Sequence, residues 1–456
     1  MARAVDSAVL VAIKLEPNAR AIAAHVLDRV YAEDAFAAAV LDAALERYPE
    51  LDPRERALAT ELAYGTLRTA PHLEARIAKH APRGTGKLDK TVRAHLLIAA
   101  YQLLFLERVP AFAAVSEAVR QISLARGKRV GAFANAVLRR LADEAQASDK
   151  RAALERVIRE SVAPELREAL VRSVGEGEAD ALAFPESGPR VSVRVRFGSD
   201  RDAALARLRI ETKAAAIAAG RVSPLAIVIG GGSDPKKNSL YRVGELAIQE
   251  EGAQIVTLAL GASSGETVLD ACAGRGNKSA LLAELVGPKG AVDAADLHPQ
   301  KLTQLGGELA RLGLAARRTF AVDWSVGAGD VPSGYDRVLV DAPCSGTGTL
   351  ARRPDLATRW RAAKLDELCD LQSKIVLAAA ERARPGATVV YAVCSVLREE
   401  GENVVQRIVD RARWLAPSPF AGAAARALAG DAPMLRLLPR AHGTDGYFLA
   451  SFRRTA

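Results

Sequence analysis

Two cysteine-bearing segments each follow directly on a β-branched apolar run. Asp341-Ala342-Pro343-Cys344-Ser345-Gly346-Thr347-Gly348 follows Val338-Leu339-Val340, and Ala392-Val393-Cys394-Ser395 follows Val389-Val390-Tyr391. Both runs read as strands, which puts each thiol at a strand's carboxyl end. Parallel α/β sheets build their active sites there. An ionised thiol is a strong nucleophile, so one in each of two such turns points to covalent chemistry on an electrophilic carbon. Cys369 lies in a helical pattern and reads as a small buried hydrophobe, and so does Cys272 taken singly.

Methylation of a cytosine at C5 is one reaction that uses two such groups. C5 is a poor nucleophile towards a methyl sulfonium. A thiolate adding to C6 makes an enamine whose C5 can take the methyl, after which a base removes the C5 proton and the thiol leaves. The chemistry alone does not assign attack and release between Cys344 and Cys394. Asp341, just ahead of Cys344, is placed to contact the pyrimidine or a cofactor.

A second constellation lies upstream. Val268-Leu269-Asp270-Ala271-Cys272-Ala273-Gly274-Arg275-Gly276-Asn277-Lys278 is a strand running into a glycine turn and a helix from Ser279. Glycines there let the backbone approach a ligand, with helix amides facing it. Asp296 ends the next strand, where a carboxylate can accept both hydroxyls of a ribose. Asp323 is expected to end the third strand and to accept from an adenine amino group. Singly each aspartate is a turn or helix-cap residue; as a series they outline a pocket for an adenosine without a phosphate chain. No GxxxxGK[ST] or GxSxG segment occurs, which excludes a P-loop ATPase and argues against an esterase. A nicotinamide enzyme fits the glycine turn and leaves both thiols unexplained.

The elements that must hold these residues fall into three blocks. From Ala19 to about Ala145 the spacing of apolar residues is helical throughout, with Asp52-Pro53-Arg54-Glu55 reading as a capping box. Helices are expected over Val92–Leu106, Val115–Ala125 and Phe133–Leu141, separated by a turn at Pro110 and a loop at Gly127-Lys128-Arg129. A charged helical connector over 150 to 185, closed by Pro185, precedes a small α+β subdomain. That subdomain has strands at Val191–Phe197 and Leu225–Ile229 and a helix over Ala203–Leu208. From Glu266 onward strands alternate with helices: Thr267–Asp270, Ala291–Asp296, Thr319–Asp323, Arg337–Asp341, Ala387–Val393 and Tyr447–Phe452. That rhythm predicts a doubly wound parallel sheet. The expected divisions are residues 1–145, 146–260 and 261–456.

Composition agrees with this plan. A chain of 456 residues, 49% hydrophobic, has room for two or three domains. Its four cysteines form no CxxC pair and its six histidines are dispersed, so neither a disulfide framework nor a metal site is expected. No apolar run is long enough to span a bilayer, and Met1 to Leu15 lacks the pattern of a secretory leader, which predicts a cytoplasmic protein, expected to be a monomer. The net charge of +9 favours a polyanionic partner, while the 5% aromatic content argues against extensive base stacking.

Against known families, the stretch from Gly244 to Phe452 resembles the RNA (cytosine-5) methyltransferases of the RsmB/Sun/NSUN group. Ala19 to Ala145 resembles the RNA-binding antitermination factor NusB, through Leu51-Asp52-Pro53-Arg54-Glu55-Arg56-Ala57-Leu58, Tyr64-Gly65-Thr66-Leu67-Arg68, Tyr101-Gln102-Leu103-Leu104 and Asn135-Ala136-Val137-Leu138-Arg139. The resemblance implies an all-α NusB-like bundle, a small α+β connector and a Rossmann-like class I methyltransferase. It implies S-adenosyl-L-methionine as cofactor, held by Cys272, Ala273, Gly274, Arg275, Gly276, Asn277, Lys278, Asp296, Asp323 and Asp341. It assigns Cys394 as the nucleophile, Cys344 to product release and Lys278 to a supporting role. A NusB-like domain ahead of such a catalytic domain implies 16S ribosomal RNA as substrate, at a cytosine-967-type position. The alternatives are the same chemistry on tRNA and an RNA-binding assembly factor without turnover, against which intact Cys344, Cys394 and Lys278 argue. The chain departs from the family's Cys-Ala-Ala-Pro-Gly-Gly-Lys loop at Gly274, Arg275 and Asn277. After Cys394, Arg398 replaces the usual proline and Gly401 the usual asparagine, while Glu399 and Glu400 keep their places.

Overall fold

The computed structural model describes residues 18–33, 35–81, 86, 88–144, 150–184, 190–212, 214, 216–230 and 234–456; the leader reading at Met1–Leu15 and the expected stop at Pro185 lie outside them. The chain forms two compact units, residues 1–162 with 352–359, and residues 163–351 with 360–456.

The first unit is helical: Ala19–Glu33, Ala37–Arg47, Pro53–Ala78, Lys90–Phe105, Ala111–Arg126, Lys128–Glu144 and Lys150–Glu160. Lys90–Phe105 is buried on nearly every side, from Ala94 through Phe105, as befits a helix at the centre of a bundle. His95 is buried within it, and that burial pushes its pKa down to about 4, so the imidazole is neutral. Half of the expected capping box forms. Asp52 Oδ1 accepts from the Arg54 amide at 2.7 Å, but the Glu55 carboxylate reaches away and accepts the Ala19 amide at 2.8 Å, capping the first helix instead of its own. The expected loop at Gly127-Lys128-Arg129 shrinks to Gly127, whose φ of 88° ends one helix, and Lys128 already opens the next. Lys150–Glu160, expected in a connector, packs here: Val157 joins the core and Lys150 Nζ donates to the carbonyls of Leu103 and Leu106 at 2.9 and 3.0 Å.

The second unit opens with helices Pro164–Val174 and Glu176–Ala183 and a small sheet of β1 (Arg190–Val195), β2 (Ala216–Ala219), β3 (Ala226–Gly230) and β4 (Leu246–Ile248). Its order is β2-β3-β1-β4, antiparallel throughout. β2 and β4 were not expected: four and three residues are too short to show alternation. The main sheet comprises β5 (Thr267–Asp270), β6 (Ala291–Asp296), β7 (Arg318–Ala321), β8 (Tyr335–Asp341), β9 (Ala383–Val393), β10 (Leu415–Pro417), β11 (Met434–Leu437) and β12 (Tyr447–Arg454). Along β10-β12-β9-β8-β5-β6-β7 the five strands β5 to β9 are parallel, and β11 pairs with β12. The all-parallel expectation fails at one side, where β12 runs antiparallel to β9, β10 and β11. The stretch between β9 and β12 holds helices Glu402–Arg411 and Ala423–Ala429 and two short strands, so no single crossover returns the chain in the parallel sense.

The small sheet is keyed to the main one by a buried ion pair. Arg194 Nη1 donates to Glu284 Oε2 at 2.7 Å, and the same oxygen accepts the Phe197 amide at 2.8 Å. Glu284 lies on helix Asn277–Val286, which follows β5. Removing one partner of such a pair leaves a buried charge uncompensated.

In the helical unit, Gly65 supplies a place for the Tyr101 ring; a Cβ there would sit 2.1 Å from Tyr101 Cζ. Gly65→Ala gains about 1 kcal/mol of helix propensity and costs about 1–3 kcal/mol of overpacking against a ring that is 1% exposed and has nowhere to turn. A net loss is therefore expected, read as a lower urea midpoint of the helical circular-dichroism signal. A higher midpoint would show that the ring yields.

Candidate active site

Adjacent parallel strands place the two thiols. Val340 pairs with Tyr391 and Asp341 with Ala392, so β8 and β9 finish side by side. Cys394 comes directly after β9, Cys344 three residues beyond β8, and their Sγ atoms lie 3.3 Å apart. The turn between them is locked by backbone bonds: the Gly348 amide donates to the Cys394 carbonyl at 3.0 Å and the Gly446 amide to the Gly348 carbonyl at 2.8 Å. A Cβ at Gly348 would stand 2.0 Å from the Gly446 carbonyl oxygen, so only glycine permits this crossing.

The thiols differ from an isolated cysteine. The hydrogen bond with Cys394, then burial, then the nearby charges of Cys394, Glu400 and Asp341 push Cys344 well above the usual thiol range. Cys344 therefore keeps its proton near neutrality and can donate it to the Cys394 sulfur. Cys369 is buried, its pKa pushed up to about 12 by burial, and its thiol donates to the Glu399 carbonyl at 3.1 Å, as expected of a core residue.

Lys278 and Asp341 meet as sequence distance would not show. β5 lies beside β8 with Asp270 opposite Leu339, and Lys278 is in the first turn of the helix after β5. Its Nζ donates to Asp341 Oδ2 at 2.6 Å. Burial by itself would lower the ammonium's pKa; Asp341, with smaller contributions from Asp270 and Cys394, outweighs it, and the net shift is upward. Lys278 stays a cation, which excludes it as a general base and makes it a fixed positive charge beside the sulfurs.

The glycine turn has the backbone that close approach requires. Gly274 and Gly276 have φ of 55° and 91°, and a Cβ on Gly276 would strike Leu305 Cγ at 2.7 Å. The Ala273 amide donates to the Ala295 carbonyl at 2.8 Å, stitching the turn to β6. Asp296, at the end of β6, accepts the Gly274 amide on Oδ2 at 3.0 Å and the His298 amide on Oδ1 at 2.9 Å, with Lys301 Nζ 3.4 Å away. It thus braces the turn as well as opening helix Pro299–Arg311. Arg275 and Asn277 are exposed on the turn, and the Cys272 thiol is pushed well above the usual range by burial and by Asp270, Asp341 and Asp296.

Asp323 does not end a strand. β7 stops at Ala321, and Asp323 Oδ1 accepts both the Ser325 amide at 2.9 Å and the Ser325 hydroxyl at 2.6 Å, an Asx-type turn that completes the chain reversal locally. Those bonds, the hydroxyl first, lower its pKa. β7 pairs with β6 through Asp296 and Ala321, so Asp323 still emerges at the sheet end that carries the other residues.

Trp324 escaped the sequence reading, and Asp270 and Glu400 were named in it without a role. Trp324 Nε1 donates to the Ala271 carbonyl at 2.7 Å and anchors the segment after β7 to the glycine turn. Asp270 is fully buried, accepts from the Ser279 hydroxyl at 2.6 Å on Oδ2, and leaves Oδ1 without a partner. The Glu400 carboxylate, also fully buried, takes hydrogen bonds from both cysteine loops. The D-A-C and C-S-V-L-R-E-E strings contain Asp270 and Glu400, but nothing in them reports burial, and Trp324 lies outside any such string. Among the described residues no group of His, Cys, Asp or Glu could hold a metal ion, and no helix is long and apolar enough to cross a membrane.

Burial raises the Asp270 pKa to about 6, with Ser279 opposing the shift. A carboxyl raised above its unfolded value contributes stability that is complete below the unfolded pKa and lost as pH rises through the folded one. Asp270→Asn does not titrate. The stability of the variant relative to the parent should therefore rise by about 2 kcal/mol between pH 4 and pH 8, measured as paired urea midpoints. A constant difference would mean that Asp270 titrates normally.

Comparison with known proteins places this geometry. Residues 257–453 match the family described as 16S rRNA methyltransferase RsmB/F, and residues 17–143 the NusB family. A putative methyltransferase of Mycobacterium tuberculosis strain H37Rv is 35% identical over 467 residues, covering 96% of this chain and 97% of its own length. A probable ribosomal RNA small subunit methyltransferase B of Bacillus subtilis strain 168 is 30% identical, with 96% and 99% covered. The crystal structure of PH0851 is similar in fold, with a TM-score of 0.80 at 22% identity, covering 97% of this chain and all of that one.

Proposed function

From the premise that the chain belongs to the 16S rRNA methyltransferase RsmB/F family, we propose that it methylates C5 of a cytosine in small-subunit ribosomal RNA through a covalent bond between Cys394 and C6. The family consists of S-adenosylmethionine-dependent RNA methyltransferases. The observation that carries the finer reading is the 3.3 Å approach of two thiols at adjacent strand ends, with the Lys278–Asp341 pair beside them.

The cofactor supplies an electrophilic methyl group on a sulfonium. The chain's residues fit it: a turn with two left-handed glycines whose backbone a ligand can approach, the N-terminus of helix Asn277–Val286, the Asp296 carboxylate, and a buried Asp270 oxygen that has no donor of its own.

The two thiols divide the work on the base. Cys394, as thiolate, forms the C6–S bond, and the electron pair released into the ring makes C5 nucleophilic. Cys344, still protonated, holds its hydrogen towards the partner sulfur before attack. Once Cys394 is bound to carbon, its charge and its hydrogen bond, the largest cause of the raised Cys344 pKa, are both gone. Cys344 then gives its proton to solvent more readily and, as thiolate, takes the C5 proton, so that the C5–H pair forms the C5–C6 double bond and the C6–S pair returns to Cys394. The Lys278 cation favours negative charge on either sulfur. The position on the RNA proposed for this chemistry is a cytosine-967-type site, reached with the help of the NusB-like unit and the net positive charge.

Cys394→Ala is expected to abolish both methyl transfer and the adduct. Cys344→Ala should still permit attack and accumulate a protein–RNA band on denaturing gels after incubation with ribosomal RNA and cofactor. The opposite pattern reverses the roles; bands from neither, with activity intact, remove covalent catalysis.

Asp296→Ala should weaken S-adenosylmethionine binding by about 1.5–3 kcal/mol while leaving RNA affinity nearly unchanged, since a charge-assisted bond and the brace on the Gly274 amide are both lost. Calorimetric titration checks it, and wild-type affinity would take this carboxylate out of the pocket. Methyl incorporation into ribosomal RNA and not tRNA from labelled cofactor is the expected substrate pattern.

A further inference from the structure

The scheme above gives no task to the buried carboxylate that both cysteine loops share. Glu400 follows the turn after β9 and is fully buried. Its Oε1 accepts the Ser345 amide at 2.8 Å and Gln372 Nε2 at 2.9 Å. Its Oε2 accepts the Ser395 hydroxyl at 2.5 Å and the Ser345 hydroxyl. Ser345 is the residue after Cys344 and Ser395 the residue after Cys394. One rigid group is therefore bonded to the neighbour of each thiol.

A second tier holds that group in place. Gln372 Nε2 also donates to the Pro343 carbonyl at 3.0 Å, from the loop ahead of Cys344. Tyr391 OH, on β9, donates to the Glu400 carbonyl at 2.7 Å and lies 3.1 Å from Gln372 Oε1. A carboxylate buried alone is unfavourable, and four donors from two loops and one helix answer that cost only while both loops keep this arrangement. We propose that Glu400 is a positioning residue of the methyltransferase: by binding both loops it sets the separation and direction of the Cys344 and Cys394 sulfurs. The catalytic consequence rests on the covalent reading above; the placement of the sulfurs does not.

Charge and position can be separated. In Glu400→Gln the carbonyl oxygen can still accept the Ser345 and Gln372 N–H groups, and the amide nitrogen can donate to two serine hydroxyls free to rotate. The tie survives without the charge. Glu400→Ala removes it, and Ser345→Ala with Ser395→Ala removes its two hydroxyl bonds while leaving the carboxylate.

The test uses the full chain and two rates. The first is disulfide formation between Cys344 and Cys394 driven by diamide, an azo oxidant that takes up the two protons and two electrons the thiols lose, with the bond mapped by mass spectrometry of unreduced peptides. The second is formation of the RNA adduct in the Cys344→Ala background. Calorimetric binding of S-adenosylmethionine, unchanged, confirms that each variant is folded. Glu400→Ala should slow the disulfide by about tenfold and the adduct on the order of 10²-fold, as a misplacement of about 1 Å does, while Glu400→Gln keeps most of both. If Glu400→Ala fails to bind cofactor, the double serine variant carries the same expectation in smaller degree. Parental rates in a folded Glu400→Ala or double variant, or an equal loss in Glu400→Gln, overturn the proposal. A slowed disulfide in Glu400→Ala supports it even if no variant, and not the parent, ever forms an adduct, in which case the covalent reading is what fails.

Discussion

The parallel pairing of β8 with β9 is the constraint on which the site depends. With Asp341 opposite Ala392, two cysteines fifty residues apart leave the sheet at the same carboxyl end, and the remaining 3.3 Å between sulfurs is set by loops. Val338 to Val340 and Val389 to Val393 are buried on both faces, so the register is held by the fit of side chains on each face and not by an apolar–polar alternation. The crossover helix Leu365–Ala380 that makes the pairing parallel also brings Gln372 under the two loops.

Charge within the catalytic unit is sorted by surroundings. Asp270 is desolvated more strongly than the Ser279 hydroxyl, Lys278 and the Cys272 amide offset, and its proton affinity rises. Asp293 is equally inaccessible, yet it faces Arg317, Arg318 and the Tyr335 hydroxyl, which overcome burial and lower its pKa. Asp341 meets the Lys278 ammonium, and Glu400 meets four neutral donors. The same functional group thus serves as a structural ion pair on β6, a partner for a cation beside the sulfurs, and an anchor beneath them. Lys278, paired with Asp341, and the positive end of helix Asn277–Val286 are the positive groups of a site where burial and carboxylates raise the Cys272 and Cys344 pKa values.

The helical unit is a separate solution to a separate problem. Its central helix is buried from Ala94 to Phe105, and polar groups there are answered within the unit: Asp89 Oδ1 accepts the Thr91 amide at 3.1 Å, and Arg20 Nε donates to Gln102 Oε1 at 2.9 Å.

Local chemistry was legible along the chain. Strand runs of Val, Leu and Ile, the Asp52-Pro53 helix start, the glycine turn and the two cysteine turns are each contained in a few consecutive residues, and the resemblance carried by those strings assigned the cofactor and the family. Tertiary structure decided what no local window contains. It turned β12 antiparallel, sent Glu55 to another helix's amide, withdrew Asp323 from its strand and ended the loop at Gly127 one residue after it began. It also joined Lys278 to Asp341, sixty-three residues on, and Glu400 to Ser345, fifty-five residues back. Hydrogen bonds between side chains from distant elements depend on burial and direction, and neither is encoded in the spacing of residue types until the sheet has formed.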